Sequence, residues 1–317
     1  MRVSQVAHHH KRDIDPTKEM QSQEWDRVAN VCISRAATAL KGNAPGYSKE
    51  QRDQLGDLFT SMAATSRTIR RVLEPGSHEP GTVDALALVR LQLEGLYALC
   101  LMLESPDYVT CYVQDYWKKR YVAYLLAFEE TRALPSFATL KPSVPSALRQ
   151  LATLFGVTDA QAYTVAHEEL GHPLPPGVSA QAIQPFPTPR KAISKIAPGS
   201  KRRMLERLHL KYVDLCSFAH GLARANLFKN VFDSRSPHRY VGSDAQIEER
   251  FQYDVLGEAY TLNFLSIAQS TAELTQLYPN DMELPAAAVN AWNSLCQASL
   301  LTKAIWEIRT KSLLGVI

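Results

Sequence analysis

The 317-residue sequence predicts an all-α protein, and three observations support this fold class. Glycine is scarce, with only 14 residues. The Asn-Gly and Asp-Gly dipeptides that connect closely spaced strands are absent, and long segments carry apolar residues at helical spacing. We expect about eight helices, bundled around one central apolar helix and including a proline-rich crossover. One domain should cover residues 19–317 after a disordered N-terminus at 1–18.

The central helix is predicted at residues 85–103, which read ALALVRLQLEGLYALCLML. Arg90, Gln92 and Glu94 alone interrupt the hydrocarbon side chains, and a helix that is apolar on every side is normally buried in a protein core. Crossing a membrane would cost about 2.5–3.5 kcal/mol for each charge, so we expect no membrane contact. A buried charge needs a partner, and Arg90 and Glu94 lie one turn apart. We therefore predict an internal ion pair.

The other helices follow from capping residues and from breakers such as proline and glycine. One of them carries seven aromatic residues between Tyr108 and Phe128, which form either core packing against the central helix or a surface for stacking ligands. Seven prolines between Pro173 and Pro198 predict an extended connection. The expected helices cover about 23–41, 49–73, 83–104, 107–133, 146–156, 159–170, 201–225, 244–278 and 284–313.

Cysteine and histidine spacing argues against a metal site. The five cysteines are scattered, odd in number and never in a CxxC pair, as expected for reduced thiols in the cytoplasm. His167 and His172 are five residues apart, whereas a helical zinc protease motif needs a separation of four. We find no cofactor motif, and we expect neither a metal nor a cofactor.

A basic segment at residues 190–211 stands out because the whole chain has a net charge of only +3. Its single acid is Glu206. Such a segment can bind nucleic acid or another anion, although a solvated helix face has the same composition. We expect RNA or another phosphate-bearing ligand as the partner, alongside a protein partner or a second copy of the chain. The cations are Arg190, Lys191, Lys195, Lys201, Arg202, Arg203, Arg207 and Lys211.

Two groups of polar residues are candidate sites. Arg90 and Glu94 form either a structural ion pair that fixes helix register or a pocket in which Arg90 binds an anion and Glu94 acts as a base. The segment LKYVDLCSFAHG at 210–221 adds Tyr212, Ser217 and His220. A histidine near a helix C-terminus can instead be a capping residue. A serine hydrolase is not supported, because no GxSxG motif is present.

These motifs resemble a broad family of bacterial all-helical proteins that is described only as a domain of unknown function. The resemblance covers about residues 80–225 and depends on LVRLQLEGLYAL and YVDLCSFAHG. It implies a shared fold and a polar centre where Arg90, Glu94 and His220 converge. It also implies an association with stress response or phage defence.

A second resemblance is to the helical HEPN ribonucleases, in which an arginine precedes a histidine by several residues. Arg203 and His209 fit that spacing, and Arg202 fits it too. The resemblance implies that His209 acts as an acid and base on a ribose 2′-OH while Arg203 neutralises the phosphorane.

Two functions follow from the sequence. One is a helical interaction or sensor subunit of a bacterial stress or phage-defence system, with a polar Arg/Glu/His centre and no catalysis. The alternative is a HEPN-like ribonuclease or nucleic-acid-directed toxin that uses arginine and histidine chemistry near the basic segment. The sequence does not decide whether the protein is an enzyme.

Overall fold

The computed structural model describes residues 16–73, 82–141, 143–219 and 244–316. These residues form helices joined by turns, with no strand among them, so the all-α fold class is confirmed. They contain more helices than the eight or so expected, because several are short. Residues 1–15 of the N-terminus predicted to be disordered lie outside the described residues, whereas 16–18 are already helical.

The helices are numbered in chain order. Two short turns interrupt the series: a 3-10 turn at Pro135–Phe137 and a π-helical turn at Trp306–Thr310. The α-helices are α1 (Pro16–Ala39), α2 (Lys49–Leu73), α3 (Thr82–Met102), α4 (Pro106–Arg132), α5 (Ser146–Leu154), α6 (Asp159–Leu170), α7 (Pro189–Lys195), α8 (Ser200–Ala219), α9 (Asp244–Leu274), α10 (Glu283–Leu295), α11 (Leu300–Ile305) and α12 (Lys311–Leu313).

Most predicted helix ends are confirmed because the capping side chains make the expected hydrogen bonds. The Ser48 hydroxyl accepts from the backbone N–H of Gln51 at 3.2 Å, and the Gln51 side chain accepts from Ser48 N at 3.0 Å. Thr158 and Gln161 form the same reciprocal pair at the start of α6. Gly171 ends that helix with a left-handed φ of 68°, a conformation that glycine adopts without steric cost.

Three predicted segments differ from the structure. Helix α1 begins at Pro16, seven residues before the expected start at about residue 23. The single helix expected at about 284–313 breaks after Leu295, because Ser299 starts a new helix with a capping box to Thr302. The proline-rich connection is not extended throughout. Pro189 occupies the first turn of the short helix α7, where the N–H that proline lacks has no intrahelical partner in any case.

The central position of α3 is confirmed. It packs against α2, α8 and α9, and also contacts α4 and α7. Ala85–Met102 is long and apolar enough to cross a membrane, and 72% of that window is buried inside the protein. The same length and composition are found in core helices of soluble proteins.

A second helix, α9, is as deeply buried as α3, which the sequence did not suggest. Each residue from 262 to 274 is buried, including Asn263, Gln269 and Glu273. Because of these polar residues, the sequence of α9 has the composition of a surface helix, although the helix lies in the core. The interior therefore needs internal hydrogen-bond partners for several α9 side chains.

The aromatic helix α4 spans two hydrophobic cores. Tyr108 and Tyr112 pack against the main core around α3, as predicted. Further along, Trp117 and Tyr121 belong to a smaller core with residues of α5, α6 and the following connection. The expectation that the whole aromatic stripe packs against the central helix is therefore wrong for its second half, which contacts the shorter helices that follow it.

Candidate functional site

Helices α3 and α8 run antiparallel, and a polar cluster lies at each end of their interface. Glu94 contacts Tyr212, the Tyr97 hydroxyl donates to the carbonyl of Leu205 at 3.2 Å, and Lys201 contacts Glu104 just beyond α3. The α8 positions in these contacts fall as the α3 positions rise, so the helices are antiparallel. The first cluster contains residues that the sequence nominated, and the second was missed.

The Tyr212 cluster consists of Arg90, Glu94, His209 and Tyr212. The Tyr212 hydroxyl donates to Glu94 Oε1 at 2.8 Å, and Arg90 Nη2 lies 3.0 Å from the same oxygen. The Arg90 guanidinium carbon is 5.8 Å from the centroid of the Tyr212 ring. His209 stacks on that ring at 5.8 Å with an interplanar angle of 17°. The predicted ion pair therefore forms and links α3 to α8 through one tyrosine.

The pair is less buried than the sequence predicted. The side chains of Arg90 and Glu94 are 23% and 32% exposed. The polar residue of this segment that is fully buried is Gln92, which donates to the carbonyl of Met62 at 2.8 Å and to Asn263 Oδ1 at 3.2 Å. Two residues along a helix correspond to a rotation of roughly 200°, so Gln92 faces the core while Arg90 and Glu94 face its edge.

Neighbouring groups shift the pKa values of two residues in the Tyr212 cluster, Tyr212 and Arg90. Burial and the hydrogen bond to Glu94 raise the pKa of Tyr212, so its phenol is a donor and not a base. Burial alone would lower the pKa of Arg90, but the hydrogen bond to Tyr212 and the charge of Glu94 raise it. Arg90 Nε and His209 Nδ1 are buried without a hydrogen-bond partner.

The structure brings together only some of the predicted site residues. Arg90, Glu94 and His209 meet around Tyr212. His220 and the side chain of Ser217 lie outside the described residues. The convergence of Arg90, Glu94 and His220 therefore stays a prediction.

The HEPN-like pair is not assembled within the part of the chain that the structure describes. Arg203 is exposed on the outward face of α8, whereas His209 faces Tyr97 and Tyr212. Six residues correspond to a net rotation of roughly 120° between the two side chains. No hydrogen bond or ion pair joins the Arg203 side chain to any described residue. The arginine near His209 is Arg90, which lies over the Tyr212 ring on which His209 stacks.

Three of the eight cations in the basic segment are engaged in ion pairs. Lys201 is buried, Arg202 Nε lies 3.0 Å from Glu206, and Lys211 Nζ lies 2.5 Å from Glu258. The other five are exposed and form no ion pair with any described residue. They lie on α7 and α8, two helices in contact, and we call them the basic face. The basic face consists of Arg190, Lys191, Lys195, Arg203 and Arg207.

The missed cluster is centred on Glu273, a fully buried carboxylate in α9. Arg309 binds it with two hydrogen bonds, from Nε at 2.9 Å and from Nη2 at 2.8 Å. The side-chain amides of Gln269 and Gln276 donate to it at 2.8 and 2.7 Å. Lys201 Nζ lies 3.8 Å from Glu273 Oε2 and 2.5 Å from Glu104 Oε1. We call these six residues the Glu273 network.

A π-helical turn supplies part of the Glu273 network. Arg309 and Thr310 lie in that turn, and the Thr310 hydroxyl donates to Gln269 Oε1 at 2.7 Å. Burial alone would lower the pKa of Arg309, but its bonds to Glu273 raise it. Two acids and two bases balance in charge, and every oxygen of Glu273 has donors. The network therefore anchors the C-terminal segment and the start of α8 to the core. Its charges sum to zero, so it carries no excess charge that would attract an ionic ligand.

No model of a known protein family, no curated protein and no solved structure matches the chain. Among the described residues, no group of three or more histidine, cysteine, aspartate or glutamate side chains is placed to hold a metal ion.

Proposed function

We propose that the protein is a non-catalytic helical interaction subunit that binds RNA through the basic face. The observation that carries this proposal is the separation of the cations at 190–211 into two groups. Three are paired with carboxylates of the same chain, and five project from α7 and α8 without an acidic partner among the described residues. Cations without internal partners attract the phosphates of a nucleic acid, and binding releases the counterions that were condensed on those phosphates.

The surroundings of the basic face support an anionic ligand. Glu206, the acid within the segment, is already paired with Arg202. Arg203 and Arg207 lie one helical turn apart on the outward side of α8, roughly 6 Å along its axis. The inward side of the same helix is anchored by Met204, Leu205 and Leu208, each fully buried. The two arginines are therefore held on a rigid support.

A bacterial stress-response or phage-defence setting is part of the proposal and follows from the resemblance of the α3 and α8 segments to the bacterial helical family. In such a system, a subunit that binds RNA without cleaving it would act as a sensor or an assembly component. The Tyr212 cluster would then orient α8 on α3 and need not contact RNA.

The catalytic alternative is an RNA-cleaving centre built on the Tyr212 cluster. The observation in its favour is that His209 and Arg90 both lie against Tyr212 at a half-exposed position. Against it, His209 Nδ1 is buried and Arg203 points away. Incubation of labelled RNA with the wild-type chain and with His209→Ala separates the two functions. Intact RNA in both samples supports the binding subunit, and cleavage that is lost in His209→Ala supports the enzyme.

RNA binding is tested by fluorescence anisotropy with a labelled RNA over a range of salt concentrations. The variant Arg203→Glu/Arg207→Glu should bind at least about tenfold more weakly, and its salt dependence should be shallower by about two phosphate contacts. The matched control is Arg67→Glu/Arg71→Glu. These arginines are also exposed and one turn apart, on α2, and they make no ion pair with any described residue.

The control variant carries the same change in net charge. If it weakens RNA binding as much as the basic-face variant, the attraction is a property of total charge and the basic face is not the site. Wild-type binding that is indifferent to salt also contradicts the proposal.

A further inference from the structure

We infer that the nucleic acid that fits the basic face is a duplex, held by its phosphate backbone without contacts to the bases. This inference rests on the proposed function and specifies the form of its ligand. It is argued from the aromatic side chains near the basic face and from the shape of the helices that carry it.

Two aromatic rings on or directly before the helices of the basic face, Tyr212 and Phe186, are already engaged within the protein. Tyr212, on α8, has His209 stacked on its ring and the Arg90 guanidinium over it. Phe186, just before α7, packs edge-on against Tyr112 with ring centroids 5.0 Å apart. The large apolar side chains that α8 does expose are aliphatic, Leu210 and Val213. No aromatic ring of α7 or of the described part of α8 is therefore available to stack on a base.

Proteins that bind single strands combine a positively charged groove with aromatic side chains on which bases stack, and each stacked base contributes about 1–3 kcal/mol. The described parts of the two helices that carry the basic face offer no such free aromatic ring. Binding must then depend on charge density. A duplex presents a charge every ~1.7 Å of its axis, against ~3.4 Å for each strand. The duplex is therefore the better ligand.

Double-stranded RNA is also the form that proteins recognise by shape, through phosphates and 2′-hydroxyls across the minor groove. Five cations on two adjacent helices, with no free aromatic ring on the described parts of those helices, suit that mode of contact. Binding should be independent of base sequence, since the phosphates carry no sequence information.

The test uses the full chain and one labelled RNA strand, measured alone and after annealing to its complement. The annealed duplex should bind at least about tenfold more tightly, with a salt slope of about 0.9 per phosphate contact compared with about 0.7 for the strand. A second duplex of unrelated sequence should bind equally well. Arg203→Glu/Arg207→Glu should weaken duplex binding, and Arg67→Glu/Arg71→Glu should not.

The outcomes separate the inference from the proposed function. If strand and duplex bind equally well through the basic face, the duplex inference is wrong and the proposed function stands. If neither binds with salt dependence, the proposed function itself fails. A DNA duplex of the same sequence is the last arm. Tighter binding of RNA identifies A-form geometry as the recognised feature, and equal binding identifies the duplex backbone shared by both.

Discussion

The two polar clusters at the ends of the α3–α8 interface differ in how completely the protein satisfies them. In the Glu273 network, a fully buried carboxylate has donors on both oxygens, and an arginine whose side chain is 13% exposed binds it twice. In the Tyr212 cluster, Arg90 and Glu94 are 23% and 32% exposed, and Arg90 Nε has no hydrogen-bond partner. The Tyr212 cluster, which includes the ion pair identified in the sequence, is therefore the more exposed of the two. The buried Glu273 network was not identified from the sequence.

The difference in burial sets the energetic role of each cluster. Removal of one partner from a buried ion pair leaves an uncompensated charge and costs about 3–5 kcal/mol. An exposed or half-exposed pair contributes about 0–1 kcal/mol, because water screens it and can replace either partner. The Glu273 network should therefore control stability, whereas the Tyr212 cluster can tolerate change.

Thiol labelling gives the largest expected contrast, because each cluster has a cysteine beside it. Cys100 is fully buried, and burial, together with the charge of Glu273, raises the pKa of its thiol well above the ordinary value. Cys216, beside Tyr212, is half-buried. An alkylating reagent in excess should modify Cys216 in the native protein roughly a thousandfold faster than Cys100, which reacts only through an opening of the core.

Mass spectrometry of the digested protein reports both labelling rates in one sample. Labelling in urea is the control, and there the two thiols should react at similar rates. Equal labelling in the native protein would show that the Glu273 network is as open to solvent as the Tyr212 cluster.

The second contrast is in stability. Glu273→Ala should lower the free energy of unfolding by about 3–5 kcal/mol, because the Arg309 guanidinium, on a side chain only 13% exposed, loses its carboxylate partner. The matched variant Glu94→Ala should lower it by no more than about 1–2 kcal/mol, since Arg90 and Tyr212 can turn to water. Urea unfolding of the two variants and the wild type measures both values.

A double variant tests whether apolar side chains can replace the central ion pair of the Glu273 network. In Glu273→Leu/Arg309→Met, both charges are replaced by apolar groups, so most of the stability lost in Glu273→Ala should return. If the double variant is no more stable than Glu273→Ala, neither a cavity nor the unpaired arginine is the cause, and the cost lies in the Gln269 and Gln276 amides, which have lost their acceptor.

The contrast also shows how much of the fold the sequence could predict. The α3 helix was predictable, since a segment that is apolar on every side apart from three polar residues is buried in a core whatever its neighbours are. Both ends of α6 were predictable, because Thr158 caps its start and Gly171 its end through residues close in the chain. The burial of α9 was not, because its polar residues are satisfied by partners far away in the chain, such as Gln92 for Asn263.

The same limit applies to the site residues. Arg90 and Glu94 were identifiable as a pair because helix geometry alone brings positions four apart together. Lys201 was assigned to an anion-binding surface, but it is buried between Glu104 and Glu273. Both partners are far from Lys201 in the chain, so no local sequence pattern could identify them. The one local signal that was overlooked is the pair of hydrogen-bonding residues Gln269 and Glu273, which lie four positions apart on one helix.

A smaller effect should separate the bonds inside the Tyr212 cluster. Tyr212→Phe removes the hydrogen bond to Glu94 and keeps the ring that stacks on His209. The expected loss is about 1 kcal/mol of unfolding free energy, measured in urea. The matched variant Tyr97→Phe removes the hydroxyl that donates to Leu205 in the middle of the same interface. A loss above about 3 kcal/mol for Tyr212→Phe would place this cluster among the buried networks, against the comparison drawn here.

The smallest effect concerns alkaline pH and tests the protonation state of Tyr212. Burial and the bond to Glu94 raise the pKa of Tyr212 in the folded protein, whereas in the unfolded chain a tyrosine ionises near pH ~10. The stabilising contribution of the protonated phenol is therefore fully present below pH ~10 and is lost as the pH rises through the folded value. Between about pH 9 and about pH 11, the unfolding free energy of Tyr212→Phe should fall less steeply than that of the wild type. The variant Arg67→Glu/Arg71→Glu replaces two exposed arginines of α2, changes no tyrosine or cysteine, and should keep the wild-type slope. If Tyr212→Phe keeps it as well, the phenol does not resist ionisation, and Glu94 does not hold its proton.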